Sequence, residues 1–194
     1  MHTYERRVRV DASFEDVWRF HSTEAGLEAL TPSWMNLRVE SVTGPDGEAN
    51  PDELDDGSTV RASIRPFGIG PRQHWTSDIV ARDRRTQSGY FRDVMSNGPF
   101  REWHHTHFFY ADGDETVVRD TVEYELPLGP LDTVFGPLAF VGFEPMFWDR
   151  HRRTRNLLEK PGGFLSGSIP VDGTVDDSQT ERTGRESLTD SVDR

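Results

Sequence analysis

Residues 91–110 read FRDVMSNGPFREWHHTHFFY, and the period of this stretch decides the fold. Alternate positions share a face on a β-strand. Over 101–110 that rule puts Trp103, His105, His107 and Phe109 on one side, and His104, Thr106, Phe108 and Tyr110 on the other. The preceding run, SGYFRDVMS, places Phe91, Asp93 and Met95 on one face. Asn97-Gly98-Pro99 lies between the two runs and carries the residues of a turn. The stretch therefore reads as a β-hairpin with one lined face.

The pattern repeats outward. A tight loop at ADGDE leads to TVVRDTVEYELP, where Asp120, Val122 and Tyr124 share a face. Upstream, RQHWTSDIVARD turns Trp75, Ser77 and Ile79 inward and His74 outward, and STVRASIRPFG aligns Val60, Ala62 and Ile64. LRVESVTG and TYERRVRV complete the set of strands. Between them, Ser13 caps a helix with Asp16 three residues on, and Phe14, Val17, Trp18 and Leu27 form an apolar face. TEAGLEAL continues as a second short helix that stops before Thr31-Pro32. Arg92 and Arg119 fall opposite Asp93 and Asp120 and belong outside. The acidic loop at 46–56 is expected to be a solvated surface, with a flap over a pocket mouth as the other option.

After LPLGP the period changes to that of a helix. One long helix is expected from Leu131 to Leu158, bent or broken near Gly136-Pro137 and Pro145. Phe135, Leu138, Phe143, Phe147 and Trp148 are its core candidates, and the arginine run at 150–155 reads as a solvated basic end. Residues 161–194 are rich in Gly, Ser, Thr and Asp with one aromatic, and are expected to form a disordered acidic tail. Strands segregated from helices make an α+β domain over 1–160. A long antiparallel sheet that curls around a long helix leaves a cavity between them.

Composition narrows the function. There is no cysteine, which excludes disulfides, thiolate metal sites and a cysteine nucleophile. No run of about 18 apolar residues predicts a membrane span, and the N-terminus lacks the apolar core of a secretory signal; a cytoplasmic protein is expected. The formal charge is −12, from 34 acidic and 22 basic residues, with Lys160 the single lysine. Such a chain repels nucleic acid and anionic membranes. Acidic surfaces poor in lysine suit high salt, so a halophilic source is expected; a GC-rich genome gives the same Arg-over-Lys bias.

These residues resemble the START/polyketide-cyclase (SRPBCC) superfamily over about residues 3–158. RRVRVDASFEDVWRFHS resembles its opening. Phe91, Asp93, Gly98-Pro99-Phe100, Trp103, His105, His107 and Phe109 resemble the F-x-D…G-P-F…W-x-H-x-H-x-F pattern of a ligand-binding subgroup, and Asp120, Val122, Tyr124 and Pro127 its D-x-V-x-Y-x-x-P. The resemblance implies a helix-grip fold, with the curved sheet wrapped around the C-terminal helix. It also implies an internal pocket for a lipid-, isoprenoid- or polyketide-like molecule. It does not imply one activity, because the superfamily includes carriers, cyclases, hydrolytic enzymes and non-catalytic helpers.

The histidines then have three readings. The first is a satisfied polar network, with Asp93 and Asp120 serving the ring nitrogens and one polar spot offered to a ligand. The second is acid/base catalysis of the cyclase or dehydratase kind, with His105 or His107 as base, Asp93 or Asp120 as orienter and Tyr124 as oxyanion donor. The third is a metal held by the two histidines and a carboxylate. The first is preferred, with no cofactor or metal expected. The ligand wall is expected from Trp75, Phe91, Asp93, Trp103, His105, His107, Phe109, Asp120, Tyr124, Phe143 and Phe147. A helper that binds a protein partner at the cavity mouth is the remaining alternative.

Overall fold

The sheet is built by sequence neighbours. In the computed structural model, which describes residues 1–159, seven strands pair in the order β1-β7-β6-β5-β4-β3-β2, every pair antiparallel. They are β1 (His2–Val10), β2 (Arg38–Thr43), β3 (Thr59–Ile64), β4 (Gln73–Arg84), β5 (Ser88–Ser96), β6 (Glu102–Asp112) and β7 (Glu115–Glu125). The helices α1 (Phe14–His21) and α2 (Glu24–Leu30) cross over between β1 and β2, and a long helix α4 (Phe140–Leu158) closes the described chain. The expected tail at 161–194 lies outside the described residues.

Local chemistry explains the elements. Ser13 caps α1 by accepting from the Asp16 amide at 3.2 Å, a contact of about 1 kcal/mol in typical helices. Thr23 does the same for α2 through the Gly26 amide at 3.0 Å. Trp18 is fully buried and lies against Phe91 and Phe109. That approach requires Gly89: a Cβ there would stand 2.6 Å from the Trp18 ring.

The C-terminal segment departs from a single helix. A short helix α3 (Asp132–Phe135) and a 3-10 turn (Gly136–Ala139) precede α4. The break falls at Gly136-Pro137, whereas Pro145 sits inside α4 without ending it. Because of the break, 131–139 does not continue the buried stripe of α4. Phe135 and Leu138 are therefore exposed, not core. Trp148 is exposed as well, because it lies off that stripe and stacks under Arg152. The buried stripe is Phe143, Phe147, His151, Thr154 and Leu158, at helical spacing. The start of α4 is tied to β1, where the Tyr4 hydroxyl donates to Glu144 at 2.7 Å and Arg6 pairs with the same carboxylate.

β4 contains a bulge between Ile79 and Ala81. Before it, Trp75, Ser77 and Ile79 face the interior. After it the faces exchange: Arg82 turns inward opposite Phe91 and lies 5.0 Å from the Trp18 ring. Arg82 also donates to the Leu54 carbonyl and to Glu53. The acidic loop is therefore anchored rather than merely solvated. Leu54 is buried, and its amide donates to the Ser22 carbonyl at 2.7 Å.

Candidate functional site

Between the sheet and α4 lies a cavity of about 470 Å³. Its wall is mostly apolar, with Trp75, Phe91, Trp103, Phe143 and Phe147 among the lining side chains. Trp34, stacked on exposed Phe67, and the anchored Leu54 also line it. The titratable groups lie on β5 and β6 and on the facing helices: Asp93, His105, His107, His21 and Arg150.

Strand register sets the polar wall. Asp93 stands directly opposite His105, and His107 directly opposite Asp120. Alternation then puts the four side chains on one face, as the sequence pattern predicts. Asp120 sits behind the imidazoles, 1% exposed. Its Oδ1 accepts from His105 Nε2 at 3.0 Å, and its Oδ2 from His151 Nε2 at 2.5 Å. His107 Nδ1 lies 2.6 Å from Oδ1, in ion-pair contact but off the line of a well-formed hydrogen bond. In front, Ser77 donates to Asp93 Oδ1 at 3.0 Å. The other oxygen, Oδ2, faces His105 Nδ1 at 3.7 Å and His107 Nε2 at 3.6 Å.

Burial and charge shape the protonation. Burial pushes the Asp120 carboxyl up, but His107, His105 and His151 together pull it well below its ordinary range. Asp93 is lowered in the same way, burial being outweighed by His107, His105 and Ser77. Burial disfavours a charged His107, yet Asp120 and Asp93 win and raise it. His105 is lowered, first by burial and then by its neighbour His107. His21 is pushed down to about 3, by burial and then by Arg150, and its Nδ1 bonds the Val17 carbonyl at 2.8 Å.

Of the expected wall, Trp75, Phe91, Asp93, Trp103, His105, His107, Phe143 and Phe147 line the cavity. Phe109, Asp120 and Tyr124 do not. Phe109 packs under Trp18, and Asp120 is the second layer. The Tyr124 hydroxyl donates to the Gly136 carbonyl at 3.0 Å, so it is engaged away from the cavity. His74 is outside, 2.9 Å from Glu40. Arg92 bonds Thr106 on the outer face, and Arg119 lies over Phe108 there. Gly98-Pro99 does more than turn the chain, because Pro99 lines the cavity.

Three site residues escaped the sequence reading: His21, Arg150 and His151. The last two sit in a run that looks uniformly basic. The i, i+4 spacing from Phe143 through Phe147 to His151 is the signal that marks the buried face. Arg150 lines the cavity, its Nε is buried without a hydrogen bond, and no carboxylate pairs with it among the described residues.

Solved structures give the fold its relatives. The chain has the Bet v 1/START-like helix-grip fold. It is similar to norcoclaurine synthase from Thalictrum flavum, at 18% identity and a TM-score of 0.57, over 82% of this chain and 95% of that one. A protein from Chromobacterium violaceum matches at 12% identity and a TM-score of 0.57, over 82% and 98% of the two chains. One from Arthrobacter aurescens matches at 14% and 0.59, over 83% and 88%. No family model matches the sequence, and no curated protein is similar to it at the sequence level. Among the described residues no helix is long and apolar enough to cross a membrane.

Proposed function

We propose that this helix-grip domain binds a small hydrophobic molecule with one acidic or strongly accepting end. The observation that carries the reading is a mostly apolar cavity of about 470 Å³ with a few titratable groups placed on β5, β6 and the helices that face them. Ligand pockets typically hold about 300–1,000 Å³ and combine apolar walls with a few placed polar groups. Arg150 supports the accepting end, because its guanidinium lines the cavity and no carboxylate pairs with it among the described residues. A structure of norcoclaurine synthase is of its complex with dopamine and hydroxybenzaldehyde, which supports small-molecule binding by a domain of this fold.

The test is titration with a neutral apolar fluorophore, N-phenyl-1-naphthylamine, and its displacement by dodecanoate. Saturable binding of one probe per chain is expected. Met146→Trp grows a ring into the cavity from a half-buried position on α4 and should abolish it without unfolding the chain. Absence of saturable binding, or equal binding by that variant, refutes the reading.

A second reading, cyclase- or dehydratase-type turnover in the same cavity, is favoured by one observation. Two imidazoles face the ligand space with a shared carboxylate behind them. A bound molecule recovered unchanged in mass and chromatographic retention after prolonged incubation would refute turnover and leave binding intact.

A further inference from the structure

We propose that Asp93, His105 and His107 form a binding site for a divalent transition-metal ion, with zinc as the reference ion, at the cavity wall. Hydrogen bonding to Asp120 fixes which imidazole nitrogens keep a lone pair. Asp120 is an ionised acceptor in contact with His105 Nε2, His107 Nδ1 and His151 Nε2. Each of those nitrogens must carry a hydrogen, because a bare lone pair against a carboxylate at 2.5–3.0 Å repels it. In the neutral rings the opposite nitrogens, His105 Nδ1 and His107 Nε2, are then lone-pair donors. Both point toward Asp93 Oδ2, at 3.7 and 3.6 Å. Ser77 occupies the other Asp93 oxygen, so Oδ2 is the one left over.

Three lone-pair atoms therefore converge on one point, each within 4.8 Å of the others. At 3.6–3.7 Å neither Asp93–His contact is a hydrogen bond. A tetrahedral ion with bonds of about 2.0–2.2 Å sets its ligands about 3.3–3.6 Å apart, and the two Asp93–His distances of 3.6 and 3.7 Å lie at the upper edge of that range. A carboxylate behind each metal-binding imidazole is the arrangement that fixes its tautomer and raises its basicity, and Asp120 stands in that place for both rings. Half-buried Asp93 and buried Asp120 supply the charge that balances a divalent ion. Two imidazoles and one carboxylate suit zinc, iron or cobalt rather than calcium or magnesium. Asp93, His105 and His107 all line the cavity, so the remaining coordination position faces the ligand space. The site is independent of which organic molecule the cavity holds.

The experiment uses the full chain, stripped with a chelator, equilibrated with Zn²⁺ alone, desalted and measured by elemental analysis. One zinc per chain is expected, together with a melting temperature that rises with free zinc. Asp93→Asn should weaken retention at least 10-fold, as should His107→Gln. Outward His74→Gln and His104→Gln serve as surface controls and should retain the metal. Circular dichroism checks the fold of each variant. Asp93→Asn is isosteric, so it decides the matter if His107→Gln does not fold. The wild-type chain loaded with Co²⁺ gives a second readout, a visible band more intense and red-shifted than that of aqueous Co²⁺, as tetrahedral protein ligation requires. No retained zinc, retention in Asp93→Asn equal to wild type, or loss in the surface controls alone would overturn the site. Binding of the naphthylamine probe is read separately, so failure of the metal site and failure of the pocket reading are distinguishable.

Discussion

Replacing His21 by leucine should remove a defined part of the acid sensitivity of this fold. His21 is 6% exposed, and its ring packs on Phe109. Its pKa falls from 6.5 to about 3, through burial and then the charge of Arg150, with His107 adding to the fall and Asp120 opposing it. The folded chain therefore keeps His21 neutral while the unfolded chain protonates it. Above pH 6.5 the group is neutral in both states and costs nothing. As pH falls below 6.5 the unfolded state gains a proton that the folded state refuses, and stability drops by about 1.4 kcal/mol per pH unit. At pH 5 the loss is about 2 kcal/mol, and it approaches a limit of about 5 kcal/mol near pH 3. For a domain of this size, 2 kcal/mol corresponds to about 4–8 °C in Tm. Leucine fills the site with apolar atoms and leaves no orphaned group, because Val17 is the helical i−4 acceptor of the same residue. Urea unfolding of both chains at pH 7.5 and pH 5.0, at fixed ionic strength, isolates His21 from groups common to both, including His107, whose raised pKa acts in the opposite direction. The variant should gain about 2 kcal/mol relative to wild type on going to pH 5. An identical stability difference at the two pH values would refute the reasoning.

Three further outcomes are expected. Gly89→Ala drives a methyl to within 2.6 Å of Trp18, and should lower stability by about 1–3 kcal/mol in urea unfolding; an unchanged midpoint would mean that Trp18 shifts freely. Leu54→Ala removes the buried anchor of the acidic loop. It should cost about 2–3 kcal/mol and speed hydrogen exchange across 46–57, and unaltered exchange would show that Arg82 holds the loop by itself. Arg150→Met should weaken dodecanoate about 10–100-fold and leave dodecanol unchanged; equal loss for both would mean that the side chain acts by packing, not charge.

The legible parts of this protein share a short range. Alternation over 101–110 placed Trp103, His105 and His107 on one face, and the same rule placed Asp93, Trp75 and Ser77 with them. Ser13 marked the start of α1 through a contact three residues away. The sequence also marked the break at Gly136-Pro137, because proline removes a donor locally. The same rules misplaced Phe135 and Leu138, which lie before the break and off the stripe of α4, and Trp148, since hydrophobicity does not say which face of a helix meets the sheet.

A strand's period is a property of the chain itself, so the amino-acid order alone determined the seven strands and the faces that alternate without interruption, including the one that carries Asp93, His105 and His107. Everything that depends on how α4 docks was decided only in three dimensions. His151 reaches Asp120 across 31 residues, Arg150 turns into the cavity, and Tyr124 turns away from it to meet Gly136. The bulge in β4 likewise exchanges faces and brings Arg82 inward to hold Leu54. These contacts join residues far apart in sequence, and their geometry follows from helix position and strand register, which no local pattern specifies.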